Sequence, residues 1–210
     1  MSIQFRPKLL DTLRGYGRGQ FTGDLIDDMN TVPWTASVLG QVRGRHGQFS
    51  VLGNHDYRHQ PELIRAALAD AGFQDLEGRW TQLHVPGGPA DRPGEIALGG
   101  TAFPWGPVPP MDPPPRADLR ILLAHSPDLF PRAARAGIEL VLSGHTHGGQ
   151  IRLPIIGPIA MPSRFSRHYD RGFFQSDQTL MFVHQGLGAN HPIRYGCPPE
   201  IITLRLRARP

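Results

Sequence analysis

The sequence predicts a layered α/β domain, and two features of its 210 residues support this prediction. Short apolar strands alternate with amphipathic helices, which is typical of sheets covered by helices. Polar clusters that contain glycine or serine directly follow four of the apolar runs, as expected where strands end in loops. A chain of this length builds one full-sized core, so residues 21–210 are assigned to a single domain. Residues 1–20 are assigned to an atypical leader, truncated or disordered, because this glycine- and arginine-rich segment lacks a strand or helix pattern.

The first half of the domain is predicted to contain three strands and one helix. A buried strand at residues 48–52 (QFSVL) runs into the cluster GNHD. Residues 61–71 form a helix, since a proline stands in its first turn and Gly72 follows its end. Strands follow at residues 81–85 and 95–100. The proline-rich loop of residues 104–115 (PWGPVPPMDPPP) cannot form regular structure, and is either a substrate-facing rim or a surface excursion.

The second half is predicted to contain four strands and one helix. A strong strand at residues 119–125 is followed by Ser126-Pro127-Asp128, which caps a helix that ends near residue 136, before Gly137. The apolar runs at residues 138–144, 179–186 and 200–207 supply three further strands.

Composition narrows the functional classes only slightly. The formal charge of +4 and the isoelectric point of about 9.8 suit an anionic partner such as phosphate, nucleic acid or an acidic membrane, although arginine-rich composition alone explains them equally well. One cysteine, Cys197, excludes an internal disulfide. No apolar run approaches the roughly 18 residues of a membrane helix, and residues 1–20 lack the apolar core of a signal peptide. We therefore expect a soluble chain, cytoplasmic or membrane-associated.

The chemistry is predicted to lie at the strand ends. The four clusters are GDLID at residues 23–27, GNHD at 53–56, AHSPD at 124–128 and GHTHGG at 144–149. Loops at one edge of the sheets converge in α/β folds, so these side chains are expected to meet. Taken alone, Asp24 could belong to a common turn and His125 could be a core histidine. Four such clusters in one chain favour a joint site.

The pair His145 and His147 predicts metal binding. Neutral imidazoles and carboxylates are ligands for zinc, manganese or iron, and the amide oxygen of Asn54 suits a harder ion. Histidines at positions i and i+2 of an extended backbone point to the same side, and so could serve two ions about 4 Å apart. The flanking glycines would let the backbone lie close to the ions.

These clusters resemble those of the calcineurin-like metallophosphoesterase family, and the resemblance covers about residues 21–206. The stretch GHTHGGQIRLPIIGPIAMPSRFSRHYDRG, with GLG at 186–188 and CPPEI at 197–201, is similar to one bacterial branch. Members of that branch are often exported or membrane-associated, and some relatives cleave the pyrophosphate of a UDP-diacylglucosamine lipid precursor. The resemblance implies two packed mixed β-sheets flanked by helices. GNHD and GDLIDD are unlike the protein-phosphatase branch.

The resemblance also implies a role for each matching residue. Asp24 would bridge two divalent ions, chosen from manganese, iron, zinc and magnesium. Asn54, His125 and His145 would complete one metal site, and His147 would belong to the other. His55 would act on the leaving oxygen or the phosphoryl charge, with Asp56 orienting its ring, while a metal-bridging hydroxide attacks phosphorus in line.

One family motif, an Asp-x-His at the end of the first strand, is missing, because no histidine precedes His46. We therefore expect a fold without its first strand. The first metal site should bind an ion. The second should be weak or empty unless Asp11 or a partner chain supplies ligands. An exposed sheet edge would also favour a homo-oligomer.

The expected function is hydrolysis of a phosphodiester, phosphomonoester or pyrophosphate bond, with a nucleotide-lipid or phospholipid precursor among the candidate substrates. The alternative is a degenerate family member that binds metal or phosphate with little turnover. A nucleic-acid-binding module is disfavoured, since it rests on charge and on the RG leader alone. The sequence lacks both the HxHxDH motif of metallo-β-lactamases and the GxSxG motif of serine hydrolases.

Several further polar side chains are candidates for the site. His184 could line the pocket at a strand end. A basic loop could contact a substrate phosphate or an anionic head group, or could simply be solvated; it contains Arg164, Arg167, Tyr169 and Arg171. His168 and His191 are expected to face solvent.

Overall fold

The computed structural model describes residues 19–42, 44, 47–86, 92–159, 161–162, 168–188, 193–204 and 206. Its α-helices are α1 (Val32–Leu39), α2 (Asn54–Arg58), α3 (Pro61–Asp70) and α4 (Phe130–Arg135). Its strands are β1 (Gly19–Thr22), β2 (Gln48–Val51), β3 (Gln74–Asp75), β4 (Arg79–Val85), β5 (Gly94–Thr101), β6 (Leu119–Ala124), β7 (Leu140–Ser143), β8 (Arg152–Leu153), β9 (Gly157–Pro158), β10 (Gly172–Ser176) and β11 (Thr179–Val183).

Two sheets form the centre of the fold. The small sheet has the order β1-β2-β3, and its strands pair in parallel. The large sheet has the order β10-β11-β7-β6-β5-β4, in which β11, β7, β6 and β5 are parallel and the two edge strands are antiparallel. Strands β8 and β9 form a separate hairpin. In the small sheet Thr22 pairs with Val51, so β1 and β2 end level and their following residues emerge side by side.

The sheets pack face to face, with helices outside both. Along β6 the side chains alternate between two cores, as a pleated strand requires. Ile121 and Leu123 belong to the core that also contains Phe49 and Val51 of the small sheet. Leu122 and Ala124 belong to the core under α4. A third core is formed between α3 and the outer side of the small sheet; it contains Ile26, Leu52, Ile64, Leu68, Ala71 and Phe73.

The predicted fold class, two packed sheets flanked by helices, is confirmed. The strands predicted at 48–52, 81–85, 95–100, 119–125, 138–144 and 179–186 are present as β2, β4, β5, β6, β7 and β11. The helix predicted at 61–71 is α3. The helix predicted after residue 126 is a 3₁₀ turn, Pro127–Leu129, followed by α4, and the Ser126 hydroxyl accepts a hydrogen bond from the N–H of Asp128.

The strand predicted at residues 200–207 is wrong for the part of it that the structure describes, residues 200–204 and 206. The first residue of this segment is hydrogen-bonded to the loop after β11 and not to an edge strand of a sheet. Glu200 donates its N–H to the carbonyl of Gly186 and accepts from the N–H of Gln185. An alternating apolar pattern forms a strand only where a neighbouring strand offers its hydrogen bonds, so Ile201 and Ile202 remain partly exposed.

Strand β1 begins within the segment assigned to the leader, and among the described strands it stands at the edge of the small sheet. Residues 1–18, which include Asp11, lie outside the described residues, and so do Arg164, Arg167 and His191. None of the helices that the structure describes has the length and apolar character needed to cross a membrane.

Candidate metal centre

Four of the predicted ligands meet where the parallel strands of both sheets end. Asp24 and Asn54 follow β1 and β2, whereas His125 and His145 follow β6 and β7. Ligand atoms of Asp24, His125 and His145 lie within 4.8 Å of one another. The Asn54 Oδ1 is 3.1 Å from Nε2 of His125. The structure therefore brings together two oxygen ligands and two imidazoles, a donor set that suits a divalent transition ion.

Glycines let the two small-sheet loops touch. A Cβ on Gly23 would lie 2.6 Å from the nitrogen of Gly53, and one on Gly53 would lie 2.1 Å from Oδ1 of Asp24. Gly23 also has φ +97°, and Asp24 follows with φ +59°. A left-handed aspartate is uncommon, and such backbone strain is concentrated at functional sites. This close approach explains why both clusters place a glycine immediately before the ligand.

His125 is held in one tautomer. Its Nδ1 lies 2.6 Å from the carbonyl oxygen of Thr22, which can only accept, so Nδ1 carries the proton. The unprotonated Nε2 then faces Oδ2 of Asp24 at 3.4 Å. Complete burial lowers the pKa of His125, which keeps the ring neutral. A neutral imidazole with one free lone pair is the form that binds a metal.

His145 is the least satisfied side chain of the cluster. Both of its ring nitrogens are buried, and neither has a hydrogen-bond partner among the described residues. Its ring centroid lies 4.8 Å from that of His125 and 5.0 Å from that of Trp105. Burial lowers its pKa to about 4, so the ring is neutral at pH 7. An unsatisfied buried polar atom costs about 1–3 kcal/mol, and an ion among these donors would remove that cost.

His147 lines the same cavity but is not part of this group of three. Its Nδ1 is 3.1 Å from the carbonyl oxygen of Gly188. The expectation of extended backbone at this pair is wrong, because β7 ends at Ser143 and a tight turn follows. His145 and His147 both have left-handed φ angles, of +66° and +49°. The two rings therefore diverge from the common direction that an i, i+2 pair on a strand would have.

His55 lies on the wall of the cavity with one ring nitrogen paired. Its Nδ1 is 2.5 Å from Oδ1 of Asp27, and its backbone N–H donates to Oδ1 of Asp24. Asp27, the last residue of GDLID, was not predicted as a site residue. The sequence signal that could have identified it is that GDLID contains a second carboxylate, three residues after Asp24. Pairing at Nδ1 leaves Nε2 of His55 for a substrate.

The resemblance implied that Asp56 orients the ring of His55, but in the structure the partner of this ring is Asp27. The carboxylate of Asp56 is fully buried and accepts hydrogen bonds from the N–H groups of Gly53, Leu25 and Ile26. Burial raises its pKa to about 6, although the three N–H donors oppose that shift. Asp56 therefore joins the loop after β1 to the loop after β2, and acts on the site through the backbone.

The cavity is completed by side chains that the sequence did not single out. Trp105, Arg58 and Pro162 line it together with Asp24, Asn54, His55, His145 and His147. Trp105 belongs to the proline-rich loop, so part of this loop is a cavity wall rather than a surface excursion. The sequence signal that could have identified this wall is the single tryptophan in a loop of prolines.

The remaining candidate residues that the structure describes lie outside the cavity. His184 is behind the cluster, with Nε2 2.5 Å from the Thr22 hydroxyl oxygen, and burial lowers its pKa to about 4. Arg171 contacts Gln185 and the carbonyl of Gly196, and Tyr169 packs on Phe130. None of the three lines the cavity as described. His168 is exposed, as expected.

Acid should destabilise the metal-free protein. In the unfolded chain a histidine binds a proton below about pH 6.5, whereas His145 and His184 bind one only below about pH 4 when folded. Stability from these two groups is present above pH 6.5 and is lost as the pH falls towards 4. Asp56 acts in the opposite direction, since its folded pKa of about 6 exceeds 3.8. His145 and His184 less Asp56 leave one net proton, or about 1.4 kcal/mol per pH unit between pH 6 and 4. Burial also lowers the pKa values of His125 and His147, so these two histidines add to the same loss and the slope is at least this large.

Urea unfolding in chelator at several pH values measures this slope. His184→Gln should lower this slope by about 1.4 kcal/mol per pH unit, the contribution of one proton. His59→Gln, at an exposed position, is the matched control. A flat profile for the unsubstituted chain would contradict the prediction.

Comparison with known proteins places this site in context. Residues 20–149 match the family model described as calcineurin-like phosphoesterase. The chain is 31% identical over 196 residues to YkuE, a metallophosphoesterase of Bacillus subtilis, covering 90% of this chain and 67% of that protein. It is also 31% identical over 177 residues to the phosphodiesterase YaeI of Escherichia coli, covering 81% and 62%.

A metallophosphoesterase of Aquifex aeolicus is 30% identical over 197 residues, covering 90% of this chain and 72% of that protein. A bovine transmembrane protein with a metallophosphoesterase domain is 33% identical, and the chain spans 45% of its length. No solved structure gives a significant match.

Proposed function

The chain belongs to the calcineurin-like phosphoesterase family, and from this premise we propose that it is a metal-dependent phosphoesterase. Its substrate would carry a phosphodiester, phosphomonoester or pyrophosphate bond. The observation that carries the proposal is the convergence of Asp24, Asn54, His125 and His145 around the unpartnered nitrogens of His145.

The residues present fit a divalent ion. Two imidazoles are neutral because burial lowers their pKa, one carboxylate stands between them, and Asn54 adds an amide oxygen. When bound, such an ion lowers the pKa of a water molecule and neutralises charge on phosphoryl oxygens. The ion would be manganese, iron, zinc or magnesium. His147 would be a ligand of a second ion.

The chain's own groups would handle the leaving oxygen and the substrate charge. Asp27 fixes the His55 ring through Nδ1 and compensates its positive charge when the ring is protonated. Nε2 of His55 could then deliver a proton to the leaving oxygen. The exposed guanidinium of Arg58, at the cavity wall, would contact phosphate oxygens of the substrate.

The alternative is a degenerate member that binds metal or phosphate with little turnover. It is favoured by the separation of His147 from the other ligands. Within the described residues, one group of three clustered side chains was found, which is sufficient for one ion.

Metal content and hydrolysis, measured on the same preparation, test the proposal. We expect the chain, purified without chelator, to retain about one ion. It should hydrolyse bis(p-nitrophenyl) phosphate, p-nitrophenyl phosphate or a nucleotide-sugar pyrophosphate when manganese is added. Chelator should abolish this activity, and manganese should restore it. Activity that survives complete metal removal would contradict the proposal, and bound metal without turnover of any of these substrates would support the degenerate alternative.

A further inference from the structure

The hairpin of β8 and β9 carries the most exposed apolar side chains on the described surface. At its tip Ile155 is fully exposed, at 108% of the reference area, and Ile156 is 73% exposed. Leu153 and Ile159 flank them and are also exposed. Isolated exposed leucines and isoleucines are ordinary, but a contiguous apolar tip marks a surface that meets another phase or molecule.

The backbone of Ile155 adds a second cost. Its φ is +68°, in the left-handed region where glycine and asparagine are the favoured residues. A β-branched side chain at such a position is an outlier, and here its side chain gains nothing from burial within the chain. Both the strain and the exposure would be offset if the side chain inserted into an apolar environment.

The hairpin stands beside the candidate metal centre. Its base packs on the turn that carries His147, since a Cβ on Gly149 would lie 2.3 Å from Cβ of Pro158. The residues just after the hairpin return to the cavity, where Pro162 forms part of the wall. On its other side, the N–H of Arg152 donates to the carbonyl of Tyr195, whose side chain is itself exposed.

The sequence of the hairpin and of the residues that follow it favours an anionic surface. Residues 150–169 contain three arginines, at positions 152, 164 and 167, and no aspartate or glutamate. Arg152 is paired with Asp170, so the excess positive charge of the segment comes from the other two. The whole chain carries a formal charge of +4. Exposed apolar side chains followed in the sequence by uncompensated arginines are a combination that binds the interface of an anionic bilayer.

We propose that the tip of the β8–β9 hairpin inserts into the surface of an anionic lipid bilayer and holds the cavity next to it. The occupant is the lipid surface rather than a second copy of the chain, because a second copy would carry the same formal charge of +4, whereas an anionic bilayer carries the opposite charge. This proposal does not rest on the phosphoesterase activity, and its test needs no turnover.

Vesicle co-sedimentation of the metal-free full chain measures this binding directly. Vesicles of phosphatidylcholine alone are compared with vesicles containing 30% phosphatidylglycerol. The test variant is Ile155→Asn with Ile156→Asn, which removes the apolar tip and places a residue that tolerates left-handed backbone at position 155. The matched control is Leu63→Asn, another highly exposed apolar side chain, on α3.

We expect binding to the anionic vesicles that is at least tenfold stronger than to the neutral ones. The affinity of the double variant for the anionic vesicles should be at least tenfold lower, while its thermal midpoint of unfolding is unchanged or raised. Leu63→Asn should bind the vesicles like the unsubstituted chain. Equal loss in both variants, or no preference for anionic vesicles, would overturn the proposal. A concentration-dependent dimer in analytical ultracentrifugation that the double variant abolishes, without vesicle binding, would instead assign the tip to a second copy.

Discussion

Replacing His55 with asparagine is expected to lower kcat by two to four orders of magnitude without changing the amount of bound metal. Proton transfer by a positioned histidine contributes a factor of this size. His55 lines the cavity beside Asp24 and Asn54, but its Nδ1 is already paired with Asp27 and it is outside the group of clustered ligands. Its loss should therefore remove chemistry and leave metal binding intact.

Steady-state kinetics and elemental analysis on the same preparation separate these two effects. Asp27→Asn should reduce kcat less than His55→Asn does, since it removes only the partner of the ring. His59→Asn, one residue beyond the end of α2, serves as the matched control and should have no effect. An unchanged kcat in His55→Asn would mean that the measured activity belongs to a contaminant. A parallel loss of metal would instead make His55 a ligand.

The contrast between His55 and Asp56 shows where a role implied by the family resemblance fails. The two residues are neighbours in GNHD, and the resemblance implied that Asp56 orients the ring of His55. On α2, however, consecutive side chains project about 100° apart, so they do not face each other. His55 reaches Asp27, 28 residues earlier, and Asp56 turns to the N–H groups of the β1 loop. Only the packing of two loops could reveal this exchange of partners.

The strand ends themselves were predictable because their determinants are local. An apolar run followed by a polar cluster with glycine or serine fixes where β2, β6 and β7 end, and parallel strands then bring those ends to one edge. The geometry of His147 was not predictable in this way. It depends on left-handed dihedral angles in the turn after β7, which the glycines of GHTHGG permit but do not specify.

For a related reason the hairpin of β8 and β9 was not predicted, and the sequence left open whether the loop that carries Trp105 faces the substrate. Both lie in proline-rich segments that lack hydrophobic periodicity, so no pattern predicts their partners. Their positions follow from long-range contacts, such as that of Gly149 with Pro158. The strand predicted at residues 200–207 is the opposite case, because the alternating apolar pattern is present but the described residues form no strand. The N–H of Glu200 donates to the carbonyl of Gly186, in the loop after β11.

Replacing His145 with leucine is expected to stabilise the metal-free protein and to abolish its stabilisation by metal. The ring now places two nitrogens in a buried environment without partners, at a cost of about 1–3 kcal/mol in the free energy of unfolding. Leucine removes those polar atoms, and this gain should exceed its somewhat higher backbone cost at φ +66°, a region in which histidine is several-fold enriched over most residues. A side chain kept at the expense of apo stability is the pattern expected of a functional ligand.

Urea unfolding with chelator and with manganese provides the four numbers required. For the unsubstituted chain, an ion at 100 times its dissociation constant should add about 2.7 kcal/mol to the free energy of unfolding. His145→Leu should unfold at higher urea than the unsubstituted chain in chelator, and manganese should then add little. His59→Leu, at an exposed position, should alter neither quantity. If His145→Leu were instead destabilised in chelator and still gained from manganese, His145 would be an ordinary core residue and the metal would bind elsewhere.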